Sequence, residues 1–357
     1  MKQKLKAALL LGALLGLGFN SPMSAATTKS AEHSASKKTA AKGVKKAPVA
    51  AKTPGRRVAA APSKAQPTKK IAGARESSVA HAKATPPRKA VRHVSMDMDA
   101  GRLALYSASA LVVDQNSGQA IIEKQADLVV PIASISKLMT AMVVLDARLD
   151  LQEVISIGEE DVDGLKGTRS RLPVGTTMTR ETAMLLALMS SENRAAHALG
   201  RHYPGGLPAF VQAMNRKAQA LGMVNSSFEE PTGLSSNNVS TAHDLARMVA
   251  AAARYPEIRH YSTTAEARLE LNGRIRDFGT TNPLVRSDNW EIGVSKTGYI
   301  SEAGRCLVMQ ARVADKPVVI VLLDSNGKMT RVGDANRIKR WMESAGPGAG
   351  QQTRRSA

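Results

Sequence analysis

The stretch Pro131-Ile-Ala-Ser-Ile-Ser-Lys-Leu-Met-Thr-Ala-Met-Val-Val-Leu145 decides how this chain is read. Its apolar run after Lys137 contains no Gly or Pro and predicts a buried helix ending near Arg148. Ser134 then falls in the first turn and Lys137 one turn later. Residues three apart share a helix face, so hydroxyl and amine can meet. A serine hydroxyl is a poor nucleophile until a neighbouring base takes its proton. A lysine can be that base if burial or a second cation keeps it neutral. The helix N-terminus adds free N–H groups and a partial positive charge, which suit an oxyanion.

Outward from this helix, the chain divides by composition. Its net charge of +20 is uneven: residues 27–95 hold 17 Lys or Arg against two acids, and Lys2, Lys4 and Lys6 add three more. The globular remainder is close to neutral, so a nucleic-acid partner is not expected. Residues 1–26 have the three parts of a secretory signal peptide: the basic start, the apolar run 7–19 and the small residues Ser24-Ala25-Ala26. Residues 27–103 form a basic arm rich in Ala, Lys and Pro, too poor in large apolar groups to offset its ordering entropy. As a coil it would span roughly 45–50 Å. The arm reads equally as a solvated linker or as a ligand for an anionic cell-wall or membrane surface. The folded domain is expected over 104–345, with a flexible tail at 346–357. The single cysteine, Cys306, excludes an internal disulfide or a cysteine metal cluster and reads as a small buried residue.

Within the domain, residues 107–114 and 120–123 read as two strands around a turn at Asn116-Ser117-Gly118. A short strand at 154–157 follows the first helix. The polar loop 158–173 either rims a site or is a plain surface loop. Thr179 caps an all-apolar helix that breaks at Ser190-Ser191-Glu192-Asn193, after which a second short helix runs to about Leu199. Pro208 and Gly222 bracket another helix, and Thr241 with Asp244 forms a capping box for one ending before Pro256. Asn272-Gly273 turns a hairpin. Residues 292–298, 306–313 and 318–323 read as strands, the last two as a meander, and an amphipathic helix covers 333–343. Strands gathered at both ends of the domain with helices between them predict an α+β fold: one antiparallel sheet built from both ends, with helices packed on it and a helical subdomain.

Three short motifs gain meaning from their context. Ser134-x-x-Lys137 opens the buried helix; Ser191-x-Asn193 lies at a break between helices; Lys296-Thr297-Gly298 ends an apolar strand and is the only such triplet in the chain. Neither of the first two is specific alone, since Ser34-Ala-Ser-Lys37 and Ser287-Asp-Asn289 match them elsewhere. Four domain histidines, His197, His202, His243 and His260, lack the spacing of a metal site, and no Gly-x-Ser-x-Gly elbow is present. No metal or cofactor is expected.

The trio is the one found in penicillin-binding proteins and class A β-lactamases. Together with Leu188-Met-Ser-Ser-Glu-Asn-Arg-Ala-Ala196, Glu230-Pro-Thr-Gly-Leu-Ser235, Asn238-Val-Ser-Thr-Ala242 and Lys296-Thr-Gly-Tyr299, residues 105–344 resemble a low-molecular-mass penicillin-binding protein of the D-alanyl-D-alanine endopeptidase group. The resemblance implies the DD-peptidase/β-lactamase-like fold and an acyl-enzyme on Ser134, with Lys137 as base. It implies that Ser191 relays a proton to the leaving amine, and that Asn193 holds Lys137 and the substrate amide. Lys296 would keep Lys137 neutral and draw in a carboxylate, Thr297 would bond substrate, and Gly298 would leave room for it. The N–H groups of Ser134 and Tyr299 would form the oxyanion hole. The implied partners are peptidoglycan stem peptides, with β-lactams as covalent inhibitors, in the periplasm. Carboxypeptidase activity is the near alternative. A β-lactamase, with Glu230 as its deacylating acid, and a non-enzymatic polyanion binder are the more distant ones.

Overall fold

The computed structural model describes residues 103–344. The segments read as signal peptide, basic arm (up to residue 102) and tail lie outside the described residues. In chain order the elements are β1 (Ser107–Asp114), β2 (Ala120–Lys124), β3 (Val130–Pro131), α1 (Ser136–Asp146), β4 (Val154–Ser156), β5 (Thr177–Thr179), α2 (Arg180–Met189), α3 (Asn193–Arg201) and α4 (Gly206–Ala220). They continue with β6 (Val239–Ser240), α5 (Ala242–Ala252), α6 (Pro256–Thr263), β7 (Glu266–Leu271), β8 (Arg274–Gly279), β9 (Glu291–Ile300), β10 (Gly304–Val313), β11 (Lys316–Ser325) and α7 (Thr330–Ser344).

The main sheet is antiparallel with strand order β2-β1-β11-β10-β9, so the first and last strands of the domain meet at its centre. This is the α+β architecture expected from the sequence. Both faces are covered, which is why β11 reads as an unbroken apolar run from Val318 to Leu323 and β10 as an apolar run from Cys306 to Met309. Val319, Val321 and Leu323 of β11 face one core, while Val318, Ile320 and Leu322 alternate into the other. The second core lies under α7, through Ala335, Ile338 and Met342. The first is continuous with the helices, where α1 is buried on all sides from Ser136 to Val144. Helices α2, α3 and α4 gather around α1 as the helical subdomain. Cys306 is fully buried on β10, and burial pushes its thiol up to about 11.

Several local readings shift. Ser134 lies in a 3-10 turn (Ala133–Ile135) that precedes α1 rather than in the helix's own first turn. The cause is Ala133, whose φ of +50° breaks the helical path. Thr241 caps α5 by accepting from Asp244 N–H, but the return half of the box is missing. The Asp244 carboxylate goes instead to Asn225 N–H, the Ser226 hydroxyl and Arg247. Pro256 opens α6 at its first position, a helix that the breaker rule concealed. The hairpin turn holds, with Asn272 and Gly273 both at positive φ as its tight type requires.

Helix α7 is pinned across the sheet by Asp334, which is fully buried. Its carboxylate accepts from Tyr106 N–H (3.1 Å), Ser107 N–H (2.7 Å), the Ser107 hydroxyl (2.6 Å) and the Arg337 guanidinium. Asp334→Ala strands these donors and is expected to cost about 3 kcal/mol. Urea unfolding should show a lower midpoint at an unchanged slope.

Candidate active site

The turn carrying Ser134 is held by close backbone approach from two sides. At Gly233 (φ +83°) an added Cβ would stand 1.9 Å from the Ala133 carbonyl oxygen. At Gly298 it would stand 2.9 Å from the Ile132 carbonyl oxygen and 3.1 Å from Ser134 N. Only glycine leaves room for either contact. Strand β9 thus lies directly against the Ser134 turn, and the positive φ of Ala133 persists because both neighbours enforce it.

Lys137, one turn along, is fully buried. Its Nζ lies 2.9 Å from Ser134 Oγ, 2.7 Å from Asn193 Oδ1 and 2.6 Å from Thr232 O. Burial lowers its pKa to about 7, against the opposing pull of Glu230 and Glu192. A neutral amine has two N–H donors and one lone pair. With Asn193 and Thr232 taking the donors, the lone pair is left for the Ser134 hydroxyl.

Asn193 begins α3 just after a kink at Ser191, whose φ is +60°. The kink turns the Ser191 hydroxyl toward β9, where Lys296 Nζ donates to it at 2.9 Å and also to Thr297 O at 2.9 Å. Lys296 is buried, and burial, followed by repulsion from Lys137 and Arg331, holds its pKa well below the usual lysine range. Thr297 is buried with its hydroxyl donating to Thr281 Oγ1 at 2.6 Å. Tyr299 is exposed, with the Arg305 guanidinium 4.4 Å above its ring.

Among the described residues no strand pairs with the outer edge of β9. Ser295 N–H leaves the sheet for the Ser262 hydroxyl, so by the two-residue period Thr297 and Tyr299 also turn their N–H and C=O groups to that edge. Between them Gly298 stands against Ser134 N, so the Tyr299 N–H follows directly on the strand residue that touches the Ser134 turn. The structure brings together Ser134, Lys137, Ser191, Asn193, Lys296, Gly298 and the Tyr299 backbone. It gives the Thr297 hydroxyl a partner in Thr281 that the sequence reading did not contain.

Further participants carried no motif. Arg331 of α7 reaches β9 and donates to Gly298 O at 2.9 Å, adding a guanidinium to the site. The loop 158–173 is docked on α3 and frames the cleft. Asn193 Nδ2 donates to Thr168 Oγ1 (2.9 Å), Glu192 accepts from the Ser170 hydroxyl (2.7 Å) and Arg171 Nε (3.1 Å), and Arg194 donates to Leu172 O (2.8 Å). Buried Asp161 takes His197 Nδ1 (2.7 Å) and Arg201 (2.8 Å). Glu230 is engaged by its own loop: its carboxylate accepts from the N–H groups of Thr232, Gly233 and Ser235 and from the Thr232 hydroxyl. That loop presents Thr232 O to Lys137.

Residues 96–327 match the family model of the S11 peptidases, described as D-alanyl-D-alanine carboxypeptidase. The chain belongs to this family. A D-alanyl-D-alanine endopeptidase of Pseudomonas aeruginosa is 48% identical over 263 residues, covering 73% of this chain and 83% of that one. The crystal structure of the Streptomyces K15 DD-transpeptidase matches with a TM-score of 0.62 at 26% identity, over 67% of this chain and 97% of that one. Penicillin-binding protein D2 of Listeria monocytogenes, in its cefotaxime-bound form, matches with a TM-score of 0.60 at 28% identity, over 67% of this chain and 98% of that one.

The caged carboxylate separates two roles for Glu230. As a loop organiser, its replacement by Ala leaves three backbone N–H groups without their charged acceptor and should lower stability by about 3 kcal/mol. Chemical denaturation measures this. A Glu230→Ala protein of unaltered stability would contradict the organising role.

Proposed function

We propose that this S11 peptidase is a secreted DD-endopeptidase that cleaves D-alanyl–diaminopimelate cross-links of peptidoglycan through an acyl-enzyme on Ser134. The observation that carries the reading is the buried Lys137 amine, near-neutral at physiological pH and 2.9 Å from Ser134 Oγ. Lys137 takes the hydroxyl proton as Oγ attacks the D-alanine carbonyl. The N–H groups of Ser134 and Tyr299 hold the oxyanion, at roughly 3 kcal/mol per donor. Ser191 relays the proton held by Lys137 to the departing amine, which leaves Lys137 neutral again, with Lys296 bonded to the Ser191 oxygen. Asn193 orients Lys137. Arg331 supplies positive charge and Lys296 an N–H donor for the carboxylate on the leaving side, with Thr297 and Gly298 lining its path. Lys137 then takes a proton from the water that attacks the acyl carbonyl and returns it to Ser134 Oγ as the ester bond breaks.

The endopeptidase reading, over carboxypeptidase, is supported by the activity named for the Pseudomonas relative. The same geometry makes the protein a target of β-lactams, as the cefotaxime-bound Listeria structure suggests by likeness. A class A β-lactamase mechanism is disfavoured because Glu230 is committed to its own loop. We place the protein in the periplasm, with the basic arm at an anionic wall or membrane surface.

Mass spectrometry of muropeptides tests the reaction. Cross-linked dimers should fall to monomers with the wild type and persist with Ser134→Ala; loss of only a terminal D-alanine from pentapeptides would mean a carboxypeptidase. Lys137→Ala should slow acylation roughly 10³-fold, as removal of a general base does. The pH profile follows from the depressed pKa. Below about 7 the amine is protonated and cannot accept, and above it the lone pair is free, so acylation by a fluorescent penicillin should rise through that value. A flat profile between pH 6 and 8 would contradict Lys137 as base.

A further inference from the structure

The cleft is crossed at one end. Asp163 folds the tip of the loop 158–173 by accepting from the N–H groups of Leu165, Lys166 and Thr168. From this tip Lys166 reaches across to Glu302, in the turn that follows β9, and the two form an ion pair. The partners are 27% and 41% exposed, so both remain open to exchange with a ligand.

The position of this pair relative to a substrate follows from the proposed function, on which the inference rests. The leaving amine lies toward Ser191 and Lys296, and the scissile carbonyl at the N–H groups of Ser134 and Tyr299. The acyl part must therefore run along the open edge of β9 from Tyr299 toward Glu302, as an added strand. Glu302 stands three positions after Tyr299, just past the end of β9, so the residue preceding the acylated D-alanine passes beside the ion pair.

In the donor stem that residue is a diamino acid. When it is diaminopimelate, its side chain ends in one carbon bearing both an ammonium and a carboxylate. We propose that Lys166 and Glu302 form the recognition subsite for this zwitterionic end, Glu302 taking the ammonium and Lys166 the carboxylate. A partly exposed ion pair is worth little by itself, so exchanging its partners for ligand charges costs little. A lysine stem offers only the ammonium and leaves Lys166 unanswered.

Two synthetic cross-linked dimers test the subsite. They share one leaving group and differ only in the donor diamino acid, meso-diaminopimelate or lysine. The full-length wild type should favour the diaminopimelate dimer by roughly tenfold or more in kcat/KM, the preference that paired charged contacts supply. Lys166→Met should bring the ratio close to one, mainly through KM; Lys166→Gln is the second variant should the first not fold. Glu302→Gln should lower kcat/KM for both dimers. Labelling by a fluorescent penicillin, which carries no stem, reports whether the Ser134 pocket is formed in each protein. A ratio near one in the wild type, a ratio unchanged in the Lys166 variants, or an equal fall of both dimers in those variants would overturn the subsite while the endopeptidase stands. Equal falls are what a purely structural clamp would give. A wild type that is labelled by penicillin but cleaves neither dimer would overturn the endopeptidase reading, and the subsite with it.

Discussion

The site depends on keeping one lysine amine out of water. Sealing Lys137 inside the protein costs free energy for its charged form, and the pKa near 7 expresses that cost. Two carboxylates, Glu230 and Glu192, pull the other way. Had burial been shallower, the amine would remain an ammonium and could not accept a proton at neutral pH. Lys296 is buried as well, and burial, followed by repulsion from Lys137 and Arg331, disfavours its charged form in turn. Helix α1, apolar around its whole circumference, is the means by which this burial is achieved.

Position is controlled separately from charge. The Ser134 turn is wedged between Gly233 and Gly298, residues far apart in sequence that approach its backbone from two directions. Backbone contacts of this kind tolerate no rotamer adjustment, so the hydroxyl is aimed before substrate arrives, which is the condition for catalysis by preorganisation. The loops carrying the two glycines have further tasks: one offers Thr232 O to the amine, and the other is the edge strand that flanks the cleft.

Much of the fold was legible because local chemistry and tertiary environment agreed. The strands buried on both faces showed as apolar runs, Asn272-Gly273 showed as a turn, and Thr179 showed as a cap. Helix α6 was missed because proline marks a beginning as readily as an end. At the site, the three motifs were readable as spacing, but their convergence was not. The meeting of Ser191 with Lys296 depends on a positive-φ kink that no residue type announces. Arg331 left no trace in sequence, being one of three arginines in the last helix, and its role arises only because α7 lies across β10 and β11 with this side chain reaching β9. Glu230 was seen only as the acid of a distant alternative, and its part in ordering its own loop was not, because a Glu-Pro pair does not say which way its carboxylate turns.

The burial of Cys306 has a practical consequence. It is the sole thiol of the chain, and it is sealed in the sheet with its ionisation pushed up to about 11. Reactivity follows the thiolate, so this sulfur is silent toward maleimides and disulfide reagents in the folded state. The native chain is thus already a blank background for spectroscopy. One cysteine introduced on the tip of the loop 158–173 would carry a dye alone, and changes in that loop's surroundings could be followed in solution without first removing anything from the protein.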